Sequence, residues 1–107
     1  MEFMVVFITA PNEEEAVKIS KTLVEEKLAG CINIVKNVRS IYFWQGKIED
    51  DAEVLMIVKT RAELFSKLEE KVKEIHSYTV PEIIGIKIKK GSESYLRWLH
   101  EVTNERQ

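Results

Sequence analysis

The chain has 107 residues, 45% of them hydrophobic, 8% aromatic and 32% charged, enough for a single domain over 1–107 and too few for two. Sixteen basic against eighteen acidic side chains leave a formal charge of −2, which argues against a nucleic-acid partner held by phosphate neutralisation. The single Cys31 excludes an internal disulfide and any CxxC spacing, and no apolar run approaches the roughly 18 residues of a membrane span.

Residues 3–9 are apolar and β-branched with no polar face, as a covered central strand requires, and Pro11 ends the run. Asn12 with Glu15 three residues on is a capping-box arrangement in which each side chain can satisfy an orphan amide. Glu13 and Glu14 put negative charge where the helix dipole favours it. The stripe Ala16, Ile19, Leu23, flanked by Val17, Val24 and Leu28, predicts an amphipathic helix closed by Gly30. Two runs of strand formers, 31–44 and 47–59, then flank Gln45-Gly46 and predict a hairpin with arms of 13 or 14 residues. Strands in small domains run about 5–6 residues, so these arms overhang their own sheet. Ile41, Tyr42, Phe43 and Trp44 on such an overhang are an aggregation hazard for a lone chain and call for a partner.

Thr60 with Glu63 repeats the capping-box pattern and opens a second helix, with Ala62, Phe65, Leu68, Val72 and Ile75 on one face. Glu63 with Lys67 and Glu69 with Lys73 decorate its solvent side, and it ends near His76. A loop over 77–81 leads to a strand over 82–89; Lys90-Gly91 turns the chain, and Ser92 caps a last helix over 93–102. Two split strand–helix–strand units joined by a hairpin make an α+β ferredoxin-like plait: an antiparallel four-stranded sheet, two helices on one face and an added C-terminal helix. The second and fourth strands lie at its edges. The overlong second strand is the natural docking edge, and a closed ring of identical subunits covers it, so a homo-oligomer is expected.

The runs Ala29-Gly30-Cys31-Ile32-Asn33-Ile34, Ser40-Ile41-Tyr42-Phe43-Trp44-Gln45-Gly46-Lys47-Ile48, Glu53-Val54-Leu55-Met56-Ile57-Val58-Lys59-Thr60, His76-Ser77-Tyr78-Thr79-Val80-Pro81-Glu82-Ile83-Ile84 and Tyr95-Leu96-Arg97-Trp98-Leu99 resemble the CutA divalent-cation tolerance family in order and spacing, from residue 3 to about 98. The resemblance implies a ferredoxin-like subunit, a trimer with interlocking hairpins, an architecture similar to the PII signalling proteins, and an association with copper and other divalent cations. It implies no reaction, so the chain is read as a binding protein and not an enzyme. The loop departs from the family's His-Pro-Tyr-Glu-Val-Pro-Glu, with Ser77 for the first proline and Thr79 for the middle acid. Losing that proline loosens the local backbone. Ile8 stands where some members carry a thiol, and Ile75 where some carry a further histidine.

Cys31 is a soft donor suited to copper(I), and His76 suits copper(II) or zinc; read structurally, Cys31 packs as a small hydrophobe and His76 caps its helix. One thiol and one imidazole do not complete a four-coordinate site, so a metal site borrows ligands across a subunit boundary. The acidic stretch Glu49, Asp50, Asp51, Glu53 lacks the glycine and distal glutamate of an EF-hand loop and reads as a solvated hairpin. Tyr42, Trp44, Glu53, Lys59, Tyr78 and Glu82 fall at motif positions near strand or loop ends, where the PII comparison places inter-subunit clefts. An aromatic wall with a lysine and a carboxylate can hold a small anionic or zwitterionic ligand. Alternatively the aromatics are trimer glue and Lys59 pairs with Glu82 or Glu53. His100 matches no motif and is placed on the last helix's surface.

Rival classes lack their signatures. Glycines 30, 46, 85 and 91 never cluster into a phosphate cradle. The run Val54-Leu55-Met56-Ile57-Val58 has no aromatic for base stacking, and a metallochaperone's CxxC is replaced by Thr9-Ala10-Pro11-Asn12. Three functions remain: a metal-responsive copper-binding tolerance protein, a small-ligand signalling trimer, and a trimeric scaffold for an unidentified protein partner. No basic-then-apolar leader opens the chain, so a cytoplasmic location is expected. The excess of Glu and Lys, 16 and 12 residues, points to surface ion-pair networks and a thermostable protein.

Overall fold

In the computed structural model, which describes residues 1–104, the chain forms β1 (Phe3–Ala10), α1 (Glu13–Glu25), β2 (Cys31–Trp44), β3 (Lys47–Arg61), a 3-10 turn (Ala62–Leu64), α2 (Phe65–Ile75), β4 (Ile83–Lys87) and α3 (Glu93–Val102). The last three residues of the domain expected over 1–107 lie outside the described residues. The sheet is antiparallel throughout in the order β2-β3-β1-β4, with β2 and β4 at its edges, as the strand–helix alternation requires. Val6 and Ile8 of β1 and Met56 and Val58 of β3 point to one face and are fully covered by Ala16, Ile19 and Leu23 of α1 and Leu68 and Val72 of α2. The register puts Phe7 between Ile57 and Ile84, and Val5 opposite Ile86. These residues share the opposite face, where Ile84 and Ile86 keep 53% and 57% of their surface exposed.

The hairpin outruns this plait. β1 pairs with β3 only as far as Ala10 opposite Val54, whereas the β2–β3 ladder continues to Trp44 opposite Lys47. Residues 47–53 therefore overhang by about 23 Å at the usual strand rise, and the molecule measures 45 × 26 × 22 Å. Gln45 and Gly46, at φ 50° and 84°, supply the two left-handed positions of a tight hairpin turn. Asn37, at φ 65°, occupies a bulge between Val35 and Val38; asparagine tolerates this geometry better than most side chains.

Four local expectations change. α1 stops at Glu25 and is closed by Lys27 at φ 60°, with the Lys27 amide on Val24 O at 3.1 Å and the Leu28 amide on Leu23 O at 2.9 Å. Gly30 serves close packing instead, since a Cβ there would stand 2.4 Å from Leu99 Cδ1. Thr60 stays in β3, opposite Met4, because its buried hydroxyl donates to the Leu28 carbonyl at 2.6 Å; Glu63 pairs with Arg61 at 2.7 Å. β4 covers five residues rather than 82–89 because β1 begins at Phe3 and offers no further partner; the Ile88 amide closes the ladder on Phe3 O at 2.9 Å. Ser92 holds the N-cap position of α3 but makes no capping hydrogen bond through its side chain, whose hydroxyl lies 3.1 Å from that of Ser94 instead. α3 itself is fixed by Leu99, fully buried, and by Arg61, which donates to Thr103 Oγ1 at 2.9 Å and to its carbonyl at 2.8 Å.

Candidate functional site

The two candidate metal donors, Cys31 and His76, lie at opposite ends of the sheet. Cys31 opens β2 opposite Lys59, whose ammonium donates to Asn33 Oδ1 and stands 3.9 Å from the thiol. Tyr95 of α3 packs against the same thiol, and burial first, then Cys31, raises the pKa of its hydroxyl. His76 follows α2 with its ring fully buried. Its Nε2 faces the Thr9 carbonyl at 2.7 Å; a carbonyl only accepts, so Nε2 carries the proton. Nδ1 accepts from the Tyr78 amide at 3.0 Å and lies 3.5 Å from the Glu15 carboxylate. Both nitrogens of a neutral imidazole are thus engaged. Lys59 pairs with Val5, and Val5 is four residues, about 13 Å, from Thr9 along β1, so Cys31 and His76 do not meet. Among the described residues no three His, Cys, Asp or Glu side chains are grouped to hold a metal ion.

Glu15 does the remaining positioning at this end. Its amide is capped by Asn12 Oδ1 at 2.8 Å as the spacing predicts, while its carboxylate accepts the Ser77 amide at 2.9 Å. The start of α1 and the loop after α2 are thereby tied together, with His76 clamped between them and β1.

Beside this clamp the structure opens a groove of about 620 Å³. Tyr42 and Trp44 of β2, Glu53 of β3, and Tyr78 and Glu82 of the loop before β4 line it, together with Thr9, Ser40, Ile41, Ser77, Thr79 and Val80. Five of the six cleft residues expected from the sequence come together here; Lys59 is not among them. It is also unpaired with Glu53 or Glu82, because Asn33 takes its ammonium.

Two phenols shape the polar side of the groove. Tyr78 Oη donates to Glu53 Oε2 at 2.5 Å, and Tyr42 Oη donates to Asp51 Oδ2 at 2.5 Å. Burial, reinforced by the bond to Glu53, holds the Tyr78 hydroxyl far above the ordinary tyrosine range. The bond to Asp51 pushes Tyr42 up to about 12. Both therefore remain neutral donors at physiological pH.

The acidic stretch is less solvated than its composition implies. Asp51 takes Tyr42, Glu53 takes Tyr78, and Asp50 receives Arg39 Nε and Nη2 at 2.9 and 2.7 Å. Each hairpin pair is diagonal across the β2–β3 ladder, a spacing that becomes readable once the register is known. His100, expected on the surface of α3, has its Nδ1 buried and, among the described residues, without a hydrogen-bond partner.

The comparisons with known proteins bear on the family and the fold. The family model described as CutA1 divalent ion tolerance protein matches residues 4–102. The divalent-cation tolerance protein CutA of Thermus thermophilus is 54% identical over 99 residues, 92% of this chain and 96% of that protein. The chloroplastic protein CutA 1 of Oryza sativa is 46% identical over 102 residues, 95% of this chain but 58% of its own length, so this chain spans little more than half of that relative. Among solved structures, CutA1 from Oryza sativa superposes with a TM-score of 0.95 at 45% identity, covering 98% of this chain and 96% of that one. The periplasmic divalent cation tolerance protein CutA from Archaeoglobus fulgidus gives 0.93 at 45% identity, covering 95% and 99%. No helix of the described residues is long and apolar enough to cross a membrane.

Proposed function

The chain belongs to the CutA1 divalent ion tolerance family, and from that premise we propose that it is a homotrimeric, copper-binding tolerance protein of the cytoplasm that works by binding rather than by catalysis. The observation that carries this reading is the uncovered hairpin: Ile41, Phe43 and Ile48 keep 66%, 72% and 74% of their surface exposed on an arm that its own sheet does not reach. A closed ring of three copies, similar in architecture to the PII proteins, covers those arms and the apolar face around Ile84 and Ile86 while leaving no free end. A copper site in this reading is shared between subunits, because the described residues of one chain do not bring three donors together. Cys31, partly exposed on the edge strand, is within reach of a second copy. His76 joins through Nδ1 by releasing the Tyr78 amide.

Light scattering at micromolar concentration should report three chains, and a stable single subunit would remove the assembly. Copper titration should show weakened binding in Cys31→Ser and in His76→Ala; unchanged stoichiometry and affinity in both removes them as ligands. Thermostability belongs to the same proposal, supported by Lys71, which links Glu26, just after α1, at 3.4 Å to Glu74 at 2.9 Å. A melting midpoint in the mesophile range counts against it. A second reading, the small-ligand signalling trimer, is favoured by the groove, which gathers aromatic and acidic side chains into one concave wall beside the hairpin.

A further inference from the structure

We infer that the groove takes an organic cation, an amine or a quaternary ammonium, rather than the anionic or zwitterionic ligand that an aromatic wall with a lysine implies. This rests on the second reading, in which the groove is a ligand site, and gives that ligand its charge.

The lysine is missing from the site. Glu53 and Lys59 are six residues apart on β3, about 20 Å at the usual rise, and Lys59 is held by Asn33 at the far end of the sheet. None of the lining residues is Lys, Arg or His, whereas Glu53 and Glu82 are both carboxylates. Glu53 is 7% exposed, and among the described residues its carboxylate meets the Tyr78 hydroxyl and no cationic side chain. A buried carboxylate answered only by a neutral hydroxyl is incompletely compensated, and a cation beside it supplies the missing charge. Tyr78 itself cannot repel that cation, because its hydroxyl is held neutral as a donor.

The remaining features choose an organic cation over a bare ion. Three of the residues lining the groove, Tyr42, Trp44 and Tyr78, are aromatic, and aromatic rings attract ammonium groups while offering nothing to a hydrated metal that carboxylates alone do not. A volume of about 620 Å³ falls in the range of small-molecule sites. No three acidic, thiol or imidazole groups converge among the described residues to replace a metal's water shell.

Calorimetric titration of the assembled protein with choline, spermidine and glutarate tests this. Saturable binding of choline or spermidine, with glutarate silent, is expected, and Glu53→Gln should weaken the amine by about tenfold or more. Should Glu53→Gln fail to fold, Glu82→Gln and Trp44→Leu take its place. In a Trp98→Phe background Trp44 is the only indole, and its fluorescence should follow the same binding curve. Glutarate binding with both amines silent overturns the charge assignment while leaving the groove a ligand site. Silence from all three overturns the groove reading and the inference with it. Amine binding unchanged in both the Glu53 and the Glu82 variants puts the amine elsewhere and also overturns it.

Discussion

Ile8 and Ile48 are the same residue type on strands of one sheet, and their fates are opposite: Ile8 has no exposed surface, Ile48 keeps 74%. Around Ile8, α1 and α2 supply cover from within the chain. Around Ile48 the sheet has narrowed to two strands, and no other element of the described residues pairs with it. The helix-covered face of the plait is thus a finished hydrophobic core, while the arm carries apolar surface that no described element covers. The largest effect should come from the finished part. Ile8→Ala is expected to cost about 2–5 kcal/mol in denaturant unfolding, the usual penalty for a cavity in a close-packed interior. Ile48→Asp should leave the circular-dichroism spectrum intact and instead lower the mass seen by light scattering. If Ile48→Asp unfolds the chain as Ile8→Ala does, without a change of assembly, the division between core and arm fails.

A second, smaller effect locates the boundary of the core. Gly30 lies where the chain enters β2, and a side chain there collides with Leu99 at 2.4 Å and Val102 at 3.0 Å. Gly30→Val is expected to destabilise by about 1–3 kcal/mol through overpacking, read from the shift of the urea midpoint. Adding Leu99→Ala should return part of that loss, because the two sites are in direct contact and are not additive. Fully additive penalties would show that α3 does not close on Gly30 as it does here.

That contact also marks what a sequence can disclose. β1, the Asn12 cap, the Gln45-Gly46 turn and the edge position of β2 follow from local pattern and topology, and they stand. Gly30 and Thr60 misled for one reason: each is set by a residue far along the chain, Leu99 for the glycine and the Leu28 carbonyl for the threonine hydroxyl. The groove was legible as far as its members sit at strand and loop ends on one side of the sheet. Lys59 was grouped with them by motif, although its six-residue distance from Glu53 along an extended strand already separates the two. The hydrogen bonding of His76 is hidden from the sequence, because the Thr9 carbonyl and the Tyr78 amide that engage its two ring nitrogens are backbone groups that no side-chain pattern reports.

The smallest effect separates the two phenols of the groove, one on the exposed arm and one against the plait. Tyr42 is raised to about 12 chiefly by its bond to Asp51, whereas Tyr78 is raised first by burial and then by Glu53. For Tyr42 the folded value lies above the unfolded value of about 10. Its contribution to stability is therefore complete below the unfolded value and is lost as pH rises through the folded one. In Asp51→Asn, tyrosinate absorbance should show one phenol ionising nearer the ordinary value while Tyr78 stays high, because burial is untouched by that change. If both phenols fall together, the loop before β4 is not packed against β3 independently of the arm, and the groove has one polar wall rather than two.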